Sequence, residues 1–348
     1  MASTMEGKSV PALANRKSTP RALSSQSHVS PTDSGAKFTA KLPCQLCLIP
    51  ITIYQITTGY DTGMSFEAID IVVNPLTPQI VAARPEWTRT FHTKKIGRAD
   101  ADVASVTHED MIRQMDEAGI ERSFLIACKL GQEGTPGAWH MPYEWVAEAV
   151  AAYPDRFCGL AGVDPTEGMA GVRRLEAAVR DMGFIGAHTY PHWFELEPNH
   201  RKYYPFYAKC VELGIPIQMQ VGQSLVYYDK RPLRSVARPY LLDDIACDFP
   251  ELKLIGIHIG IPWVDEMIAM AWKHENVFIG SDAHSPKYWP QSFTHYINTY
   301  GREKVMFGTD FPVLAFKRTM DEIDGLGLRD TAKRLFLRDN ALRVYGLS

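Results

Sequence analysis

The stretch VMFGTDFP, Val305–Pro312, is a short apolar run that breaks at glycine and ends in Thr309, Asp310 and a proline. The same plan recurs upstream in AIDIVVN (Ala68–Asn74), RSFLIAC (Arg122–Cys128), RFCGLAGVDP (Arg156–Pro165), GAHTYPH (Gly186–His192), PIQMQVG (Pro216–Gly222), LKLIGIHIG (Leu252–Gly260) and VFIGSDAH (Val277–His284). Each reads as a buried strand whose last side chains are polar. Amphipathic stretches lie between most of them. In HEDMIRQMDEAGI, Met111, Met115 and Ile120 recur near the helical period, and GVRRLEAAVRDMG is closed by Gly183. Strand–helix alternation implies parallel strands joined by crossovers. Eight units in roughly 285 residues suit a closed (β/α)8 TIM barrel over residues 64–348 better than an open sheet.

Composition changes sharply ahead of that repeat. Residues 1–40 are rich in Ser, Thr, Pro, Lys and Arg, carry only Glu6 and Asp33 as acids and show no apolar period. Residues 1–63 are therefore expected to be a disordered or extraneous extension. Met64 stands just before the first strand, and a transit peptide is the competing reading of the same bias. Leu42–Ile56 is too short and too polar to span a bilayer, so no membrane partner is expected. The net charge of -3 and the absence of a basic stripe argue against nucleic acid. Six scattered cysteines do not make a disulfide framework, and Cys128, Cys158 and Cys210 sit in core-like contexts, which points to a reducing, cytoplasmic setting. Cys44 and Cys47 have CxxC spacing without a second pair.

A TIM barrel carries its chemistry at the C-terminal ends of its strands. The candidates there are Asn74, His188, Tyr190, His192, Gln220, His258, Ser281, Asp282, His284 and Asp310. After the first strand, Arg84, Arg89, Lys94, Lys95 and Arg98 face only Glu86 in opposition and are interleaved with Trp87 and Phe91. That loop suits gripping a carboxylate carried on a ring, with Arg84 and Arg89 as the cations; a solvated basic loop is the competing reading.

The motifs QMDEAGIERSFLI, YPDRFCGLAGVDP, GFIGAHTYP, LGIPIQMQVG, FPELKLIGIHIG, PWVDE and VMFGTDFP, in this order, resemble the amidohydrolase-related barrels of the aminocarboxymuconate-semialdehyde decarboxylase type. The resemblance implies decarboxylases of hydroxylated aromatic acids and related hydrolases, often homodimeric. It also implies one divalent metal, usually zinc, held by Asp-x-His-x-His on the first strand, a fifth-strand His and an eighth-strand Asp, with a further His on the sixth strand. By that resemblance Asp310 takes the metal-ligand position and His258 the sixth-strand position. The two first-strand histidines fall on Val72 and Asn74, and the fifth-strand histidine on Gln220.

Valine cannot ligate and amide oxygens bind weakly, so the metal centre is expected to be lost or remodelled. No cofactor is then required; zinc, if present, would rest on Asp310 and His188. His258 and Asp310 are the expected catalytic pair, and Asn74, His188, Tyr190, Gln220, Arg84 and Arg89 the expected substrate contacts. The expected activity is a hydrolase or carboxy-lyase acting on a small carboxylated or cyclic metabolite. The alternative is a catalytically silent barrel that binds such a metabolite or a partner subunit.

Overall fold

The apolar runs become strands where the sequence places them. In the computed structural model, which describes residues 67–99, 104–226 and 228–348, these strands form one eight-stranded sheet. They are β1 (Ala68–Val73), β2 (Ile120–Ala127), β3 (Phe157–Gly162), β4 (Gly186–Thr189), β5 (Ile217–Gln220), β6 (Leu254–Ile257), β7 (Val277–Gly280) and β8 (Val305–Met306). Each strand pairs in parallel with the next. All residues of β1 are buried, as a strand must be when helices cover one face and the barrel core the other. The expected 1–63 extension, with Cys44 and Cys47, lies outside the described residues.

The sheet closes on itself through single hydrogen bonds between its first and last strands. Ile71 N donates to Phe307 O at 3.1 Å, Asp310 N to Val72 O at 2.9 Å and Asn74 N to Phe311 O at 2.8 Å. A buried carboxylate reinforces this seam. Asp70 Oδ1 accepts from Val72 N at 3.0 Å and Thr309 N at 3.1 Å, while Thr309 Oγ1 lies 2.5 Å from Asp70 Oδ2. Deeper in the barrel, Gln218 Nε2 donates to Ile71 O and lies 2.7 Å from Tyr345 Oη, and the Tyr345 ring stands edge-on to Phe124. The interior is thus a packed core, and the strand-end mouth is where a ligand can enter.

The helices follow the sequence pattern. His108–Ala118 starts where Thr107 Oγ1 accepts from Asp110 N and stops at left-handed Gly119; it buries Met111 and Met115 completely. Gly168–Met182 ends at Gly183, also left-handed. Two pieces at the mouth have no such periodic signal. One is an antiparallel hairpin, Lys129–Leu130 with Trp139–His140. The other is the segment after β1, which folds as helices Pro78–Ala83 and Glu86–Thr90 and a wide turn over Phe91–Lys95. Among the described residues no helix is long and apolar enough to cross a membrane, and Cys128, Cys158, Cys210 and Cys247 are free.

Candidate active site

The strand ends and the two irregular pieces enclose a cavity of about 130 Å³. An engineered cavity of about 150 Å³ takes a benzene ring, so this one has room for a single small ring. Its walls are aromatic: Trp87, Phe91, Trp139, Tyr190 and Trp193 line it. Trp87 is fixed by Nε1 donating to Gly137 O at 2.9 Å and by its ring lying 4.7 Å from that of Trp193. The polar lining includes Asn74, Arg84, Gln220, His258, His284 and Asp310.

Arg84 sits at the C-terminus of helix Pro78–Ala83. Its Nη2 donates to Pro75 O at 3.1 Å, its guanidinium lies 5.4 Å from the centre of the Trp139 ring, and its Nε has no partner. No carboxylate among the described residues pairs with it. Burial lowers its pKa, while Cys128, Tyr190 and Asp310 act the other way; an arginine nonetheless keeps its charge. Arg89 lies elsewhere: it is exposed and lines a neighbouring cleft with Glu86.

At the strand ends, three groups converge. His258 Nε2 lies 3.2 Å from Asp282 Oδ2 and 3.7 Å from Asp310 Oδ2. Neither approach is aligned as a hydrogen bond, for His258 Nε2 and Asp282 Oδ2 both stay without a partner. Each carboxylate is anchored through its other oxygen. Asp310 Oδ1 accepts from Asn74 Nδ2 at 2.7 Å, and Asp282 Oδ1 from the backbone N of His258 at 2.9 Å. On the far side of the imidazole, Gln220 Nε2 lies 3.1 Å from His258 Nδ1.

The backbone here is held in unusual conformations. His258, Ile259, Ala283 and Asp310 all have positive φ, of 66, 45, 66 and 56°. Such strain persists only where the surroundings impose it, and it gathers at functional sites. The titratable groups respond to burial. Asp310 is pushed up to about 7 by burial, against the Asn74 hydrogen bond; Asp70 adds to the rise and Arg84 opposes it. Asp282 is pushed far above the usual carboxylate range by burial and then by the charge of Asp310. Burial drives His258 well below its ordinary value, helped by His284, His188 and His192.

The remaining expected residues are placed as follows. Tyr190 reaches Asn74 Oδ1 at 3.5 Å and presents its ring to the cavity. His188 is fully buried behind it with ring centres 4.2 Å apart, and neither of its nitrogens has a partner. It is outside both the cavity lining and the His258–Asp282–Asp310 group. His192 is fully buried, with Nδ1 accepting from Val236 N at 3.1 Å. Asp282 was among the strand-end candidates read from sequence but was given no role, and Trp139 was not among them. Asp282 was visible there only as one polar strand end among many, and Trp139 carried no signal.

The metal arrangement implied by the family resemblance does not fit these residues. Val72 is buried hydrocarbon packed beside Gly308. Asn74 turns its amide nitrogen, a donor, toward Asp310. Of the five positions, Asp70 and Asp310 keep a carboxylate, and both oxygens of Asp70 are already engaged by Val72 N, Thr309 N and Thr309 Oγ1.

The chain is 26% identical over 186 residues to a 2-keto-4-carboxy-3-hexenedioate hydratase from Sphingobium sp. (strain NBRC 103272 / SYK-6), spanning 47% of this chain and only 54% of that protein. It is 23% identical over 259 residues to a gamma-resorcylate decarboxylase from Rhodococcus jostii (strain RHA1), covering 58% and 74%. A solved dihydroxybenzoic acid decarboxylase from Polaromonas sp. JS666, with bound manganese and an inhibitor, superposes with a TM-score of 0.57 at 17% identity, covering 80% of this chain and 97% of that one. Residues 107–347 match the amidohydrolase family model along most of the barrel, and the chain belongs to that family.

Proposed function

We propose that this protein is a carboxy-lyase of the amidohydrolase fold that removes carbon dioxide from a small ring carboxylate. One observation carries the reading: a half-buried guanidinium, Arg84, without an anionic partner among the described residues, at the wall of a ring-sized aromatic cavity. A buried charge left without a counter-charge is costly, so the site favours an anion. The decarboxylases among the relatives support the same class of substrate.

In this reading the substrate ring stacks among Trp87, Trp139 and Tyr190, and its carboxylate pairs with Arg84. The cavity's polar floor of Asn74, Gln220, His258 and Asp310 faces the ring. A proton from solvent held at that floor passes to the ring carbon that bears the carboxyl group. The bond to the carboxyl carbon then breaks, its electron pair returns to the ring, and carbon dioxide leaves. Aromatic walls that exclude water protect the ion pair and favour the neutral product gas. No step is assigned to a metal.

The test is carbon dioxide release from a panel of hydroxylated benzoates, alongside direct binding of each acid. Wild-type protein releases the gas from at least one member, and Arg84→Met weakens binding by about a hundredfold or more without loss of fold. Unchanged binding in Arg84→Met would overturn the assignment. Binding without turnover would favour the silent barrel, and water addition to a conjugated keto acid would favour the hydratase chemistry of the Sphingobium relative.

A further inference from the structure

We propose that the cation site of this barrel has moved: His258, Asp282 and Asp310, at the ends of β6, β7 and β8, form a divalent-metal site without any ligand from β1. The argument rests on how the three side chains are held. Each carboxylate uses Oδ1 for an anchoring hydrogen bond, to Asn74 Nδ2 or to His258 N, and leaves Oδ2 bare. The two Oδ2 atoms approach His258 Nε2 at 3.2 and 3.7 Å.

A hydrogen-bonded triad would align the N–H with one of those oxygens, and here neither is aligned. Lone pairs that meet near a common point give this pattern instead. With ligand bonds of about 2.1 Å, neighbouring donors around one ion stand about 3.0–3.4 Å apart, close to the observed spacing. Asp282 is the independent sign. It is completely buried, and its Oδ2, with no hydrogen-bond partner, is turned into the cluster.

The surroundings complete the design. A metal-bound imidazole needs an acceptor for its other N–H. Gln220 provides one, because the two ends of its amide can exchange places by rotation, turning Oε1 to His258 Nδ1 in place of Nε2. The lost fifth-strand ligand has thus become the support of the sixth-strand one. Gly308 makes room for the new seventh-strand ligand: a Cβ there would stand 3.0 Å from Asp282 Cβ and 3.3 Å from Val72 Cγ2. Two carboxylates and one imidazole, with room toward the cavity for solvent or substrate oxygen, suit manganese or zinc.

This goes beyond the decarboxylation reading and is tested without substrate. Full-length protein is stripped with chelator and titrated with Mn²⁺, following loss of the free-ion electron spin resonance signal. One tight site per chain is expected. Spin-echo modulation from a single imidazole nitrogen donor should accompany it. Asp282→Asn keeps the Oδ1 acceptor and should weaken that site by about a hundredfold or more, whereas Arg84→Met, which removes a cation that acts on Asp310, should not weaken it. Absence of a tight site in wild-type protein, equal affinity in Asp282→Asn, or modulation from two imidazoles would each overturn the proposal. Loss of carboxylate binding in Arg84→Met with the ion retained would separate this outcome from that of the function proposed above.

Discussion

Two clusters in this barrel, each of one imidazole and two carboxylates, have opposite character. Beside the mouth hairpin, His140, Asp164 and Glu167 bring ligating atoms together as closely as His258, Asp282 and Asp310 do. The first cluster, however, has its own cations. Lys129 Nζ pairs with both oxygens of Glu167 at 2.9 and 2.8 Å, and Arg174 joins at 2.6 Å. Burial alone would raise Glu167, and Lys129 and Arg174 outweigh it, so its carboxyl titrates below the ordinary value. His140 spends Nε2 on Gly131 O at 2.7 Å, and Asp164 Oδ1 caps Thr166 N at 2.7 Å. In the second cluster burial raises both acids, and the charge of Asp310 adds to the rise of Asp282 while that of Asp70 adds to the rise of Asp310. One imidazole and two carboxylates are structural where lysine and arginine pair directly with a carboxylate, and ligand-seeking where no cation among the described residues pairs with either.

Removing charge should therefore act in opposite directions at the two sites. Lys129 and Glu167 side chains are only 7% and 12% exposed. Lys129→Met should lower unfolding free energy by about 2 kcal/mol, since it breaks a buried pair and leaves Glu167 to the more exposed Arg174 alone; a loss below about 1 kcal/mol in urea unfolding would erase the contrast. Asp282→Asn, measured in metal-free protein near pH 8, should hold or raise stability, by up to about 1 kcal/mol, because it removes a buried charge facing another. A marked loss there would show that Asp282 is already paired in the free protein.

The smallest effect belongs to Asp70, whose carboxyl burial raises to about 7 against its three donors. A folded-state value above the ordinary 3.8 means that the group's contribution is full below about pH 4. It is then lost as pH rises toward and through 7. Asp70→Asn should flatten the fall of stability across that window without reversing it. An identical pH slope in the variant would show that Asp70 stays ionised throughout.

Most of the barrel was legible because its strands are continuous apolar runs with polar ends, and burial on both faces leaves such runs few other uses. Arg84 was legible as a basic residue in an aromatic loop, but Arg89, equally basic in sequence, lies outside the cavity lining, because extended backbone at Arg84 and Pro85 breaks the helix between them. Asp282 could not be ranked above Ser281 or His284 from sequence, because its importance comes from left-handed backbone at His258 and Asp310 that turns three strand ends toward one point. Lys129 hid for a related reason. Its strand is two residues long, and its partner Glu167 is thirty-eight positions away.

The seam between the first and last strands carries a mechanical consequence. One carboxylate oxygen, Asp70 Oδ1, serves amides on both sides of it. Val72 and Thr309 therefore share a single acceptor, and neither strand can peel back without disturbing the other's bond. Asn74 and Asp310, two residues and one residue beyond the edges of that clip and bonded to each other, are thus coupled in any opening of the barrel mouth. The rim of the cavity behaves as a hinge pin rather than as two independent flaps.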